Sequence, residues 1–174
     1  MRPLELDEIY ELHVNDLYRY LYSLSKDHFT AEDLVQETFY RAFITLDERE
    51  ITNIKAWLFK VSYHAFIDFT RKRKRYIVSD QLENIEPKGI PPEKSPEKQF
   101  IEKESFQQLL EDIHSLNDKQ KNVLLLCDFH KLSYKEAADI LDLNLNTLKS
   151  HLLRGREKMI AKIQKRRERD ERER

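Results

Sequence analysis

Glycine is almost absent from this chain, which has only two glycines in 174 residues. Because the tight turns of β-hairpins depend heavily on glycine, an all-β fold is unfavourable. The single cysteine, Cys127, excludes an internal disulfide and a cysteine-rich zinc site, and it is typical of a reducing cytosol. No run of about 18 apolar residues occurs, and the first residues lack the apolar segment of a signal peptide. The sequence therefore predicts an all-α protein that is soluble and cytoplasmic.

Charge is distributed unevenly, although the formal net charge is only −1. Residues 1–50 carry 5 Lys/Arg and 12 Asp/Glu, whereas residues 51–75 carry 7 and 1. The second half repeats the pattern, with 4 and 8 in residues 104–145 and then 9 and 2 in residues 146–169. An acidic segment followed by a basic one, twice in one chain, indicates two contacts with a polyanion.

Proline is concentrated between these two halves. Four of the five prolines and one of the glycines fall within "ENIEPKGIPPEKSPEKQ". Because proline fixes φ and lacks a backbone donor, no helix is expected to pass through this stretch. The sequence therefore predicts two small helical domains, residues 1–75 and 104–174, joined by an extended linker over 76–103.

The first domain has the hydrophobic spacing of a helical bundle. Apolar residues from Leu6 to Leu24 recur at helical spacing, with Tyr10 among them. The next stretch, "TAEDLVQETFYRAF", begins with Thr30 and has Asp33 three residues later, a near match to a capping box. Its polar face is explained equally well by simple solvation. The predicted inward set is Leu34, Val35, Phe39, Ala42, Phe43 and Leu46, and the outward set is Asp33, Gln36, Glu37 and Arg41.

A third segment, "TNIKAWLFKVSYHAFIDFTRKRKR", combines aromatic and basic residues. It has five aromatic residues within thirteen positions, followed by five consecutive basic residues, Arg71 to Arg75. Trp57, Leu58, Val61 and Ala65 are predicted to face the core. The aromatic residues occupy too many sides of the helix for all of them to be buried. Exposed aromatics beside cations can stack on unpaired bases while the cations bind phosphates, although a basic run alone is often only a solvated helix end.

The second domain has the spacing of a helix-turn-helix. Asn117 with Gln120, and Ser133 with Glu136, predict two helix starts, the second as a capping box. A turn over 142–144 then precedes a third helix, which would enter the major groove. Its predicted inward residues are Leu148, Leu152, Met159 and Ile163, with Gly155 at a close packing point. Its predicted outward or flanking residues are Lys149, Ser150, His151, Leu153 and Arg154.

Three stretches together carry a resemblance to a known family. They are "AEDLVQETFYRAF", "AWLFKVSYHAFIDFTRKRKR" and "LSYKEAADILDLNLNTLKSHLLRGREKM", in the family's order. With them the chain resembles the group 4, or extracytoplasmic function (ECF), bacterial RNA polymerase sigma factors, and is similar to those of Bacillus-type bacteria that respond to envelope stress. The resemblance implies a sigma-2 domain, which binds the clamp helices of core polymerase and melts the −10 element. It also implies a sigma-4 domain, which binds the β-flap and reads the −35 element.

The resemblance also implies roles for individual residues and a regulator. A membrane-anchored anti-sigma factor is expected as a further partner, besides core polymerase and promoter DNA. Tyr63 and His64 stand where the family commonly has Arg-Asn, and His151 stands where Arg is frequent, so DNA preferences are expected to differ. The implied polymerase-binding residues are Asp33, Gln36, Glu37 and Arg41; the −10 residues are Lys60, Tyr63, His64, Arg71, Lys72 and Arg73; the −35 residues are Lys149, Ser150, His151, Leu153 and Arg154.

Two other classes of function are also consistent with some of these patterns. A stand-alone helix-turn-helix regulator would bind DNA without joining polymerase, and its first half would be a ligand-sensing domain of mixed fold. An enzyme is disfavoured because the six histidines are scattered and no metal-ligand spacing or Gly-rich phosphate loop appears. Cys127 lies in the apolar run "VLLLCDF" and is predicted to be a buried small hydrophobe. We therefore expect no catalysis, no cofactor, no metal site and no small-molecule substrate.

Overall fold

The computed structural model describes residues 5–46, 51–80 and 104–174, and these ranges contain seven α-helices and no strand. The all-α prediction is confirmed, and the helices form two units, one on each side of the gap between 80 and 104. The elements are α1 (Leu6–Ser25), α2 (His28–Leu46), α3 (Ile54–Asp80), α4 (Glu104–His114), α5 (Asp118–Leu124), a π-helical turn (Leu125–Phe129), α6 (Tyr134–Leu141) and α7 (Leu145–Arg172).

The junction between α1 and α2 differs from the capping predicted at Thr30. Lys26 has a left-handed backbone, with φ of 57°, and this ends α1. The carboxylate of Asp27 then accepts hydrogen bonds from Thr30 N at 2.9 Å and from Thr30 Oγ1 at 2.6 Å. Asp27 therefore satisfies the free donors at the start of α2, and the helix begins before Thr30, at His28.

The core of the N-terminal unit lies where α1 and α3 meet α2. Leu17, Tyr20 and Leu21 are fully buried, and so are Leu58 and Phe59. The predicted core-facing side of α3 is therefore displaced by about one residue from the buried side that the structure shows. Phe59 takes the buried place, whereas Trp57 and Val61 are half-buried. This shift follows from α3 packing on two sides, so that its buried face is wider than one stripe.

Phe43 was predicted to face the core, and this prediction is wrong. Its side chain is 63% exposed, whereas Phe39 and Ala42 on the same helix are buried. Phe39 lies four positions before Phe43 and Ala42 lies directly before it, and both are on the buried face, but Phe43 is rotated away from that face. Tyr10 on α1 is also exposed, at 46%, although its ring lies 4.8 Å from that of Phe39.

The C-terminal unit confirms the predicted helix starts. Gln120 N donates to Asn117 Oδ1 at 2.8 Å, which caps α5. Ser133 and Glu136 form the reciprocal capping box of α6, with bonds of 3.1 and 2.8 Å. The sequence did not indicate the π-helical turn at Leu125–Phe129, in which Leu125, Leu126 and Cys127 are buried.

Helix α3 extends further than the sequence predicted, because it ends at Asp80. The predicted linker 76–103 thus begins inside α3, and most of it, residues 81–103, lies outside the described residues. Within the described ranges, no helix is long and apolar enough to cross a membrane.

The two units contact each other directly. Helices α1 and α3 of the first unit face α4, α5, the end of the π-helical turn and α6 of the second. Tyr20 is fully buried, and its hydroxyl donates to Asn122 Oδ1 of α5 at 3.2 Å. We call this contact between the units the seam.

Candidate nucleic-acid interface

Helix α7 is held at a fixed angle to α6 by a three-residue turn. Asp142 has a left-handed backbone with φ of 53°, which ends α6. Leu143 N donates back to Ala138 O at 2.9 Å, and the side chain of Asn144 accepts from Thr147 N at 2.8 Å, which caps α7. These bonds satisfy both helix ends across the turn, so the second helix is presented rigidly, as in a helix-turn-helix.

The first four turns of α7 have one buried face and one exposed face. Leu148, Leu152 and Met159 are buried as predicted, whereas Ile163 is 38% exposed. Gly155 is buried against α5, where an added Cβ would lie 3.5 Å from Gln120 O, at ordinary contact distance. The outward residues Lys149, Ser150, Leu153 and Arg154 are exposed, and His151 is half-buried.

Charge on the outward face of α7 is available for a ligand. Among the described residues, neither Lys149 nor Arg154 forms an ion pair. Burial lowers the pKa of His151, with smaller contributions from the nearby charges of Lys119 and Arg154. An uncharged His151 ring beside the cations Lys149 and Arg154 suits a polyanion as the ligand. Hydrogen bonds and opposite charge would then hold that ligand together.

Arg156 is a functional neighbour that the sequence did not single out. Its guanidinium donates from Nε to Asp128 Oδ2 at 2.9 Å and from Nη2 to Asp128 Oδ1 at 2.6 Å. This bidentate pair, which raises the pKa of Arg156, ties α7 to the π-helical turn. Spacing alone cannot distinguish Arg156 from Arg154, because the partner lies 28 positions away in sequence.

Lys60, Tyr63 and His64 lie on one face of α3, at helical spacing, and the basic run follows on the same helix. His64 and residues 71–75 are exposed, whereas Lys60 and Tyr63 are half-buried. We call the set Lys60, Tyr63, His64, Arg71, Lys72 and Arg73 the melting surface, after the role that the sequence predicts for it.

The melting surface is bordered by the second unit. Lys60 Nζ lies 2.9 Å from Asp139 Oδ2 of α6. Burial raises the pKa of Tyr63, with a further contribution from the negative charge of Asp118 on α5. The structure therefore brings one of the six predicted −10 residues, Lys60, into an ion pair with an acidic group of the other unit.

The outward face of α2 combines acid, amide and apolar side chains. Asp33 and Gln36 are exposed, and Glu37 accepts from Arg41 Nε at 2.8 Å. Arg41 also donates from Nη1 to Asp68 Oδ2 of α3 at 3.1 Å, so it links two helices. The hydrogen bond to Glu37 is the main reason that the pKa of Arg41 is raised.

Exposed apolar residues continue the α2 face, and sequence reasoning missed them. Tyr40 and Phe43 are each 63% exposed, and Ile44 is 53% exposed. Contiguous exposed apolar side chains beside polar ones are typical of a protein-binding surface. The signal in the sequence was the number of apolar residues on α2, which exceeds what one buried face can hold.

The buried cysteine, Cys127, belongs to none of these surfaces. Burial raises the pKa of the Cys127 thiol to about 11, as expected for a packing residue rather than a nucleophile. Within the part of the chain that the structure describes, no group of three His, Cys, Asp or Glu side chains is placed to hold a metal ion.

A helical bundle followed by a helix-turn-helix with a free basic face defines a two-unit helical DNA-binding protein. Residues 9–76 match the family model for Sigma-70 region 2, and residues 106–159 match the model for Sigma-70 region 4. The chain belongs to the ECF RNA polymerase sigma factors.

Individual relatives support this membership. The chain is 37% identical to the ECF RNA polymerase sigma factor SigM of Bacillus subtilis, over 91% of this chain and 94% of that one. It is 27% identical to SigW of the same organism, over 86% and 84%. Among solved structures, the sigma factor RpoE of Bartonella quintana, crystallised with the anti-sigma factor NepR, superposes with a TM-score of 0.72. Its identity is 29%, with 88% of this chain and 92% of that one covered.

The resemblance inferred from the three sequence stretches is thus confirmed. The function of the chain is that of an alternative sigma factor, which joins core RNA polymerase to promoter DNA and directs transcription initiation.

Proposed function

We propose that the outward face of α7 reads the −35 element, through Lys149, Ser150, His151, Leu153 and Arg154. The observation that carries this assignment is the free basic face at the start of a helix fixed by the α6–α7 turn. Arg154 suits a bidentate contact to guanine, whereas Lys149 suits a phosphate. The two residues are five positions apart, about 140° around the helix, so they contact different groups.

The melting surface of α3 is assigned to the −10 element. Residues 71–75 present consecutive exposed cations to phosphates, and Tyr63 and His64 present rings, 6.0 Å apart, to unpaired bases. The basic run is helical rather than a fraying tail, because α3 continues past it to Asp80. The spacing of these cations along one helix therefore suits the phosphates of one continuous DNA strand.

The outward face of α2 is assigned to core polymerase, with Asp33, Gln36, Glu37 and Arg41 as its polar part. The exposed apolar residues beyond them supply the burial that a stable protein interface needs. Because Glu37 is already paired with Arg41, Asp33 is the cleaner position to test. We expect Asp33→Lys to weaken association with core polymerase while circular dichroism stays unchanged. An unchanged association would remove α2 from the assignment.

Regulation by an anti-sigma factor, anchored in the membrane and released under envelope stress, completes the proposal. It is supported by the solved RpoE, which is bound to its anti-sigma factor, and by the exposed apolar part of α2. We place the chain in the cytoplasm, without catalysis of its own, since polymerase carries out the reaction.

The experiment that tests the proposal is run-off transcription with purified core polymerase on genomic promoter fragments. Addition of the chain should produce discrete new transcripts that polymerase alone does not make. A stand-alone regulator would bind the same fragments without starting transcription, and that result would refute the proposed function. Arg154→Ala should reduce transcripts from −35-dependent promoters, and Arg71→Ala/Lys72→Ala/Arg73→Ala should reduce permanganate reactivity of unpaired thymines.

A further inference from the structure

The first turn of α7 carries an exposed amide outside the set assigned to the −35 element. Helix α7 begins at Leu145, and Asn146 follows it with an exposed side chain. The cap of the helix is Asn144, whose Oδ1 accepts from Thr147 N at 2.8 Å. Within the described part of the chain, the side chain of Asn146 has no hydrogen-bond partner. The capping bond thus leaves the amide of Asn146 available to a ligand.

Asn146 lies on the centre line of the outward face of α7. At about 100° per residue, Ser150 lies about 40° around the helix from Asn146, and Leu153 lies about 20° from it. Lys149 is about 60° to one side of this line, and Arg154 is about 80° to the other side. All five side chains are exposed. We call Asn146, Ser150 and Leu153 the reading line.

The reading line is uncharged, whereas both of its flanks are cationic. A DNA groove has the complementary arrangement, because phosphates border its sides and base edges form its floor. Leu153, which is 59% exposed, suits the C5-methyl group of thymine in the major groove. The centre of the face therefore offers contacts for bases, and the flanks offer charge for phosphates or, through the long side chain of Arg154, for guanine.

The part of α7 that can lie against DNA has an end that the charges define. Glu157 is four positions beyond Leu153, about 20° from the line through Asn146, and it is exposed. Because a carboxylate there repels phosphates, the DNA-facing part ends before it. The other end of that part is the first turn, and the N-terminal residues of a recognition helix are the ones that contact base edges. Asn146 is therefore placed where a short side chain reaches a base.

The amide of asparagine matches one base edge of the major groove. It has an N–H donor beside a carbonyl acceptor. Adenine presents N7 as an acceptor beside its N6 amino donor, so both hydrogen bonds form together. Guanine presents two acceptors there, cytosine presents its N4 donor, and thymine presents one acceptor and a methyl group. Adenine is therefore the base that satisfies both halves of the amide.

We propose that Asn146 is a specificity-determining residue, which pairs with one adenine of the −35 element through hydrogen bonds to its N7 and N6. Leu153 then packs on a thymine methyl group along the same line, so the reading line selects A·T pairs. This inference rests on the proposed assignment of α7 to the −35 element, and it adds the base that the first turn of the helix selects.

Asn146→Ala removes the amide without removing a contact of the fold. Alanine is a better helix former than asparagine, so the urea midpoint followed by circular dichroism should not fall. Gln164→Ala is the matched control, because it also deletes an exposed amide from the same side of α7, 18 residues or about 27 Å further along. A lower urea midpoint in Asn146→Ala alone would show a structural role and would overturn the inference.

DNA binding is measured on holoenzyme assembled from the full chain and core polymerase. The probe is a labelled duplex with the −35 element, but no −10 element, of a promoter mapped by run-off transcription. Asn146→Ala should bind it about 5- to 100-fold more weakly than the wild type, whereas Gln164→Ala should equal the wild type. A duplex of unrelated sequence should bind all three proteins equally. The same loss on both duplexes would make Asn146 a backbone contact and would overturn base reading.

Base analogues then locate the adenine. Replacing one adenine at a time, on either strand, with 7-deazaadenine removes the N7 acceptor and leaves the base pair intact. At one position this change should weaken binding by the wild type and leave binding by Asn146→Ala unaffected, because the variant has already lost the partner of N7. If every position weakens both proteins by the same factor, no adenine pairs with Asn146.

A second variant should change the preferred base. Asn146→Asp keeps the shape of the side chain, and a carboxylate in the first turn of a helix is favourable for the fold. Because a carboxylate only accepts hydrogen bonds, the variant should prefer cytosine, with its N4 donor, over adenine at the located position. An unchanged preference for adenine would refute the pairing.

Arg154→Ala separates this inference from the wider assignment of α7. If Arg154→Ala weakens binding to the −35 duplex and Asn146→Ala does not, α7 reads the element without Asn146, and the inference alone fails. If neither variant weakens binding, the assignment of α7 to the −35 element fails, and the inference fails with it.

Discussion

The two surfaces that we assign to DNA differ in what holds and what covers them. The outward face of α7 lies on a helix that its own unit fixes through Leu148, Leu152 and the Arg156–Asp128 pair. Within the part of the chain that the structure describes, its cations Lys149 and Arg154 form no ion pair. The melting surface lies on α3, and one of its residues, Lys60, is paired with Asp139 of the other unit. Basic side chains are therefore exposed on α7, whereas on α3 a basic side chain is held by the other unit.

A basic and aromatic sequence pattern therefore indicates where a ligand can bind. It does not indicate whether the folded chain leaves that surface available to the ligand. On α7, availability follows from local structure, since the turn and caps lie within fifteen residues of the contacts. On α3, the availability of Lys60 depends on Asp139, which lies 79 positions away in sequence, in the other unit.

The scaffold beneath the α7 face is where the largest effect is expected. Leu148 is fully buried, so Leu148→Ala should lower the free energy of unfolding by about 2–5 kcal/mol. Leu153→Ala is the matched control on the same helix, because Leu153 is 59% exposed and its loss should change that free energy by about 0.5 kcal/mol or less. Urea titration followed by circular dichroism measures both. Similar losses in the two variants would contradict the two-faced reading of α7.

Availability of the α7 face can be tested through its two free cations. Arg154→Ala should cost about 1–3 kcal/mol of binding to a −35 duplex if it makes a bidentate base contact. Lys149→Ala should weaken specific and non-specific DNA similarly and lower the salt slope by about one unit. Fluorescence anisotropy across salt concentrations separates the two. An Arg154 variant with wild-type affinity and selectivity would remove this helix from −35 recognition.

The seam should lose stability in acid, because it contains the buried ring of His130. Burial lowers the pKa of His130 to about 4, with nearby charges of Asp16, Lys55 and Arg19 adding smaller effects. In the unfolded chain the pKa is near 6.5, so the unfolded chain binds the proton first as pH falls. The stability that the neutral ring contributes is present above pH 6.5 and is lost progressively toward pH 4.

The expected size is about 2 kcal/mol less unfolding free energy at pH 5 than at pH 7.5, from His130 alone. Burial also lowers the pKa of His114 to about 4, which adds a loss of the same sign. His130→Gln should remove part of the pH dependence and leave the part due to His114 and to the other histidines whose pKa burial lowers, His13 and His151. Urea titrations across this range provide the measurement, and an unchanged slope in the variant would mean that the ring is not buried in solution.

The smallest effect is a difference in unfolding free energy between variants of two arginines on α7, Arg154 and Arg156. Arg156→Ala should lower the unfolding free energy by about 0.5–1 kcal/mol, because it breaks an exposed but bidentate pair with Asp128. Arg154→Ala should leave stability within about 0.5 kcal/mol, since no pair is lost. The same urea titration compares them. Equal stability losses would show that Arg154 also has a structural partner.

Local signals in the sequence were sufficient for much of the fold. The capping pairs Asn117–Gln120 and Ser133–Glu136 are confirmed, and so is the turn before α7, because each bond joins residues at most a few positions apart. The inward leucines Leu148 and Leu152 were predictable for the same reason, since helical spacing alone places them on one face.

Local signals failed where two neighbours compete for one residue. Asp27 rather than Thr30 caps α2, although both have capping chemistry. Phe43 was assigned to the core by its apolarity, yet Phe39 and Ala42 fill that face and leave it exposed. Trp57 was predicted to face the core but is half-buried, while Phe59 is fully buried, because an aromatic-rich helix has more than one possible buried stripe.

By itself the sequence determined an all-α chain, two basic surfaces, the helix-turn-helix and membership of a sigma factor family, since composition, spacing and caps act over short distances. Only the tertiary structure decided which cations are free. Arg154 and Arg156 are equivalent in the sequence, and so are Lys60 and Lys72, but Asp128 holds Arg156 and Asp139 holds Lys60. Those carboxylates lie 28 and 79 positions away, and no local rule brings such distant charges together, because burial of apolar residues between helices sets their approach.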